Sequence, residues 1–207
     1  MSAVLPPHPV QFQGSALARR VLGWLGWRLD FQGLPAAQGV VVVYPHTSNW
    51  DFPVGLLAKW AMGIEVHFWA KHTLFQVPLF GAWLRWLGGV AVNRQDAAGF
   101  VEQTAALMRQ HKQEGAYFWL AITPEGTRSW RPAWRSGFYR LALAAQVPVG
   151  LAMLDFGRKQ IRFVDFMPLT GQVEADMARM AQVFEGCTGC RPEQAAPIKI
   201  DYKGGSS

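Results

Sequence analysis

Gly39-Val-Val-Val-Val-Tyr44 runs directly into Pro45-His46-Thr47-Ser48-Asn49-Trp50-Asp51-Phe52-Pro53. Consecutive β-branched residues favour a pleated backbone, and the run reads as a short buried strand. Pro45 ends it. A helix begins near residues 51–53, where proline is tolerated in the first turn. Outward from this strand–loop–helix unit, residues 65–70 read as a second strand and 78–87 as a short, Trp-bearing helix. Residues 90–93 read as a strand, 97–113 as an amphipathic helix and 116–122 as another strand. Residues 136–145 form a helix, 147–154 and 160–166 two strands, and 173–184 a last helix. Strands alternating with helices predict a single α/β domain. We place it at residues 31–185, after an N-terminal arm and amphipathic helix (1–30) and before a Pro/Gly-rich tail (186–207). Within the first of these, residues 14–29 set Leu17, Val21, Trp24, Leu25 and Arg28 at helical spacing, beside Arg19 and Arg20. A helix lying in a membrane interface and a helix packed on the domain both fit.

The 207 residues are half hydrophobic and only 16% charged, below the roughly 25% of ordinary domains. Ten tryptophans suit a setting apolar at one ring edge and wet at the other, as at a membrane interface; a Trp-rich core is the alternative. The net charge of +6 attracts anionic partners. Arginines are scattered and alternate with tryptophan, as at Trp27-Arg28, Leu84-Arg85-Trp86, Trp130-Arg131 and Trp134-Arg135. Nucleic-acid binding calls for clustered basic residues, so the expected partner is an anionic membrane surface and not nucleic acid, an ordinary solvated surface being the alternative for any one pair. No apolar run reaches the roughly 18–20 residues of a spanning helix; the longest, 141–154, is interrupted by Gln146 and Pro148. Residues 1–15 lack the basic start and apolar stretch of a secretory signal. Attachment is therefore expected to be peripheral. Cys187 and Cys190 are the only cysteines; without a second pair they are expected as inert thiols, a redox or metal role being the alternative.

Three loops carry polar groups after strands, where ligands bind in α/β sheets. In the first, His46 and Asp51 can face each other across a strand-to-helix turn, a spacing that suits a base oriented by a carboxylate. The other reading is that Asp51 caps the helix. The second, Gly88-Gly89-Val90-Ala91-Val92-Asn93-Arg94, ends on an arginine. The third, Thr123-Pro124-Glu125-Gly126-Thr127-Arg128-Ser129, offers amides, hydroxyls and a guanidinium fork suited to phosphate. His67, His72 and His111 show no converging ligand spacing, so no metal is expected.

Taken in order, His46-x4-Asp51, Gly-Gly-Val-x-Val-x-Arg94, Pro124-Glu125-Gly126-Thr127-Arg128 and Val147-Pro148-Val149 resemble the four blocks of the glycerolipid (lysophosphatidic acid) acyltransferase family. The likeness runs over residues 39–155. The phrases His46-Thr-Ser-Asn-Trp-Asp-Phe-Pro and Trp134-Arg-Ser-Gly-Phe-Tyr are similar to a short bacterial, lysophospholipid-acyltransferase-like branch. Pro45 stands where the family often has Asn, Thr123 where it often has an aromatic, and the fourth block lacks its second proline. The resemblance implies a mixed, mostly parallel sheet flanked by helices, as in glycerol-3-phosphate acyltransferase. It implies phospholipid biosynthesis on the cytoplasmic side of the inner membrane. Acyl-CoA or acyl carrier protein would be the co-substrate and a lysophospholipid the membrane acceptor, with no cofactor. His46 would be the general base and Asp51 its orienting group. Arg94 and Arg128 would bind the acceptor phosphate, with Glu125, Gly126 and Thr127 completing that block. Lys71, after the second strand, is a further phosphate contact or simply an exposed lysine. Competing readings are acyl transfer to a lyso-amino-lipid, a lipid hydrolase, and a non-catalytic lipid-binding relative. The absence of a Gly-x-Ser-x-Gly elbow disfavours a serine hydrolase.

Overall fold

The valine run lies in the middle of a seven-stranded sheet. The computed structural model describes residues 13–92 and 97–200. Along the chain come α1 (Ala16–Trp24), β1 (Arg28–Phe31), β2 (Gln38–Tyr44), α2 (Asp51–Met62), β3 (Val66–Lys71), α3 (Phe80–Trp86), β4 (Gly89–Val92), α4 (Ala97–Gln113), β5 (Phe118–Ile122), α5 (Gly137–Ala145), β6 (Val149–Asp155), β7 (Gln160–Met167) and α6 (Val173–Val183). Spatial order is β1-β7-β6-β2-β5-β3-β4. Every neighbouring pair is parallel except β6–β7. The expected mixed, mostly parallel sheet is the one present.

Alternation along β2 divides the core. Val40, Val42 and Tyr44 join residues of α4, α5 and α6 in one apolar cluster. Val41 joins residues of α1 and α2 in the other. Successive side chains of a strand point to opposite faces, so a continuous valine run serves a sheet covered on both sides. The parallel strands β2, β3, β4 and β5 end at one edge. That edge carries the His46 loop, Lys71, and the loop beginning at Thr123.

Two expectations are corrected. The helical spacing of residues 14–29 overruns the helix. α1 stops at Trp24 and Gly26 takes φ +82. Arg28 is the first residue of β1, pairing with Gln160 of β7. Trp27 is buried edge-on against Phe156, ring centroids 4.9 Å apart. Ladder hydrogen bonds and that ring contact outweigh local helical periodicity. Second, the stretch from Gly186 is irregular, as read, but residues 187–200 lie against the domain. Trp134 bridges to Ile200, and the Tyr44 hydroxyl donates to the Ala196 carbonyl at 3.1 Å.

Candidate active site

The chain leaves β2 through a cis Tyr44–Pro45 peptide and turns into the His46 loop. Asp51, the first residue of α2, is 5% exposed. Its Oδ2 accepts the amides of Thr47 at 2.8 Å and Ser48 at 2.9 Å. Asp51 therefore braces the loop before the helix instead of capping the turns after it. The same oxygen lies 3.0 Å from Nδ1 of His46. The approach is oblique: Nδ1 does not meet hydrogen-bond geometry there, and the buried Oδ1 of Asp51 has no donor within the described residues. A small ring rotation would align the pair. With Nδ1 held toward Asp51, Nε2 is the nitrogen left for chemistry.

Glu125 supports this loop from below. It is 1% exposed. Its Oε2 accepts the His46 amide at 2.6 Å and its Oε1 the Ala196 amide at 3.0 Å. Burial pushes its carboxyl up to about 7, although both amides and His46 pull the other way. Both oxygens thus serve the protein's interior, tying β2's loop, β5's loop and the C-terminal segment together. Gly126 follows at φ +67, a left-handed conformation that glycine adopts without strain. A Cβ there would lie 2.6 Å from Nε of Arg135. The Thr127 hydroxyl accepts the Ser129 amide at 3.3 Å.

Two spaces lie against the loop, lined by different residues of it. A largely apolar cavity of about 250 Å³ lies between α2 and the sheet, with Val43, Leu56, Met62, Phe68 and Phe163 among its walls. His46 and Asp51 also border it, and it follows α2 from its first residue to its last. Twelve helical residues span about 18 Å. Lys59 borders it too, its ammonium held by the carbonyls of Val66 at 3.0 Å and Leu87 at 2.8 Å. The second space, a polar pocket of about 260 Å³, is lined by residues 47–50, Arg128, Cys190 and Arg191.

Of the candidate residues, His46, Asp51, Glu125 and Arg128 come together around one loop. Lys71 is exposed at the end of β3, on the same sheet edge but outside both spaces. Arg94 lies outside the described residues. Sequence reading missed Thr47, whose fully buried hydroxyl oxygen accepts the Arg191 amide at 3.1 Å. It also missed Gln194, whose amide nitrogen, turned toward them, donates to the carbonyls of Thr47 and Arg128. Local pattern holds no trace of these contacts; the one available signal was Gly189 beside Cys190-Arg191. Among the described residues no three His, Cys, Asp or Glu side chains are grouped to hold a metal ion. No helix there is long and apolar enough to cross a membrane.

No curated protein matches the chain. Among solved structures it is similar to the 1-acyl-sn-glycerophosphate (LPA) acyltransferase PlsC from Thermotoga maritima, at 20% identity and a TM-score of 0.49, over 80% of this chain and 73% of that one. The family model described as Acyltransferase matches residues 28–150, more than half the chain. That span begins at β1, takes in the His46 loop with its Asp51 and Glu125 braces, and reaches into β6. The chain belongs to the acyltransferase family and is an acyltransferase enzyme.

Proposed function

We propose that the enzyme moves a fatty-acyl group from acyl-CoA or acyl carrier protein to a hydroxyl of a lysophospholipid such as lysophosphatidic acid. The observation that carries this reading is the loop at residues 46–51: His46 and Asp51 border an apolar space that follows the length of α2, and residues 47–50 line an arginine-bearing pocket. In this reading Nε2 of His46 takes the proton of the acceptor hydroxyl as its oxygen attacks the thioester carbonyl. The C–S bond breaks, and the departing thiolate receives the proton. Asp51 keeps the ring in the correct tautomer and stabilises the imidazolium. The thioester is already electrophilic, so no acyl-enzyme is required. Arg128 attracts the phosphate, with Arg94 and Lys71 as further proposed contacts, while Glu125, Gly126 and Thr127 hold the shape of the acceptor loop.

The enzyme would work peripherally on the cytoplasmic face of the inner membrane, against anionic lipid. Support comes from exposed apolar side chains on neighbouring elements. Leu17 and Trp24 stand on α1, Trp50 precedes α2, and Leu79, Trp83 and Trp86 lie at α3. Trp83 contacts Phe52 of α2. Arg19 is exposed on α1, and its Nε donates to the Ala61 carbonyl at 2.9 Å, fastening α1 to α2.

Thioester release from acyl-CoA and from acyl carrier protein, with and without lysophosphatidic acid, tests the reading. Release should depend on the acceptor and yield the doubly acylated lipid. Release at the same rate without acceptor would establish a hydrolase instead. Release only with a lyso-amino-lipid would move the acceptor to that class.

A further inference from the structure

The polar pocket has a wall that the family match does not cover. Residues 47–50 and Arg128 lie within the matched span, but Cys190 and Arg191 belong to the C-terminal segment, forty residues or more beyond its end at residue 150. That segment is fixed to the loops it faces. The Arg191 amide donates to the Thr47 hydroxyl oxygen and the Ala196 amide to Glu125; the Gln194 amide, once turned, donates to two carbonyls, one of them that of Arg128. Gly189 fits so closely that a Cβ would lie 2.7 Å from Oγ1 of Thr47 and 3.2 Å from Cβ of Pro45. Arg191 is thus held by its backbone at a fixed place, and it lines the pocket together with residues 47–50.

The pocket's charge is one-sided. Arg128 and Arg191 bring two guanidinium groups to its lining, and among the described residues no carboxylate lines it. Among the described residues neither arginine is in an ion pair with Asp or Glu. Ser48, Asn49 and Cys190 add neutral polar groups. Two forked donors around a space of about 260 Å³ match a tetrahedral phosphate monoester, whose two charges and three terminal oxygens exceed what one arginine satisfies.

We infer that Arg191, supplied by the C-terminal segment, is a substrate-binding residue that completes with Arg128 the site for the acceptor's phosphate monoester. This rests on the acyl-transfer reading for the identity of the acceptor but not for the existence of the anion site. Phosphate monoesters occur in two candidate ligands: the headgroup of a lysophosphatidic acid and coenzyme A itself. The pocket borders residues 47–50 rather than the apolar cavity, which favours the headgroup.

Two readouts test this. Cys190 is exposed and lines the pocket, so its alkylation by iodoacetamide reports occupancy without catalysis. Cys187 is the internal control, because burial pushes its thiol up to about 12 and leaves little thiolate to react. Glycerol 3-phosphate should slow alkylation of Cys190 in the wild-type protein, coenzyme A should not, and Arg191→Ala should abolish the protection, taken as the ratio of rates with and without ligand. In transfer assays Arg191→Ala should raise the KM for lysophosphatidic acid about tenfold or more while the donor KM changes less than about twofold, and Arg191→Lys should recover only part of the loss. The Thr47 contact uses the backbone amide, so the fold should survive substitution; Arg191→Gln, with a matched melting temperature, covers a failure of the alanine variant. Protection unchanged in both variants, protection by coenzyme A alone, or equal effects on the two KM values would overturn the assignment. If the wild-type protein transferred to no lysophospholipid, the functional reading would fall, and the alkylation ratios would still decide the anion site.

Discussion

At the residue scale, His46 faces Asp51 through Nδ1, and in the proposed mechanism its Nε2 serves the acceptor hydroxyl. His46→Ala should lower transfer on the order of 10²–10⁴-fold with the fold unchanged. A purified, folded variant retaining more than about a tenth of wild-type transfer would show that another group is the base. Asp51→Asn should impair both ring and loop, because Oδ2 receives the Thr47 and Ser48 amides as well as facing His46, and an amide nitrogen in its place would meet donors. Steady-state kinetics should show the loss mainly in kcat. Glu125 makes a different prediction. Its carboxyl titrates near 4.5 ordinarily and at about 7 in the fold. Between those values the folded protein binds a proton that the unfolded chain does not, so stability falls as pH rises through that window and this contribution is constant above it. Each pH unit is worth about 1.4 kcal/mol. Melting temperature followed across the window should therefore show a downward component with rising pH that Glu125→Gln removes. An identical slope in the variant would contradict the assignment.

At the element scale, the sequence was readable where burial is periodic or unbroken. The valine run is β2, the pattern over residues 97–113 is α4, and the Pro53-containing start is α2. It misled where two glycines interrupted an amphipathic stripe: tertiary pairing with β7 took Arg28 into a strand. The His46–Asp51 pair was legible because its two members lie on one strand–loop–helix unit. The Glu125 brace was not, since its partners are 79 and 71 residues away and a hydrogen bond to a backbone amide places no demand on the partner's side chain. The segment around Gly189 was unreadable for the same reason. Gly189→Ala tests its importance. The added methyl would overlap the Thr47 hydroxyl and crowd Pro45, and overpacking of this kind costs about 1–3 kcal/mol. The variant should melt lower and lose transfer activity together. Full activity in Gly189→Ala would mean that the segment does not hold the His46 loop.

At the scale of the whole molecule, many exposed tryptophans and leucines lie on α1, at the start of α2 and on α3, with Trp130 and Leu107 exposed elsewhere, while other tryptophans fill the core. Trp119 and Trp134 are fully buried; Trp83 is 43% and Trp86 74% exposed. The last two can therefore be removed without emptying the interior. Apolar area taken from water contributes about 25 cal/mol per Å², and each basic residue near anionic lipid adds about 1 kcal/mol. The protein should float with anionic vesicles at low salt better than with neutral ones, and Trp83→Ala/Trp86→Ala should reduce flotation while circular dichroism is unchanged. Failure of the folded wild-type protein to float would end the membrane-surface reading. One consequence concerns the order in which the chain is made. The loop holding His46 is synthesised early, yet its Thr47 is gripped by Arg191, 144 residues later, and Glu125 finds its second donor only at Ala196. A ribosome paused between Phe163 and that stretch therefore carries a nascent chain with its histidine, aspartate and apolar cavity walls in place but its last clasp absent, so acyl transfer should switch on with completion of the C-terminal stretch and not gradually during elongation.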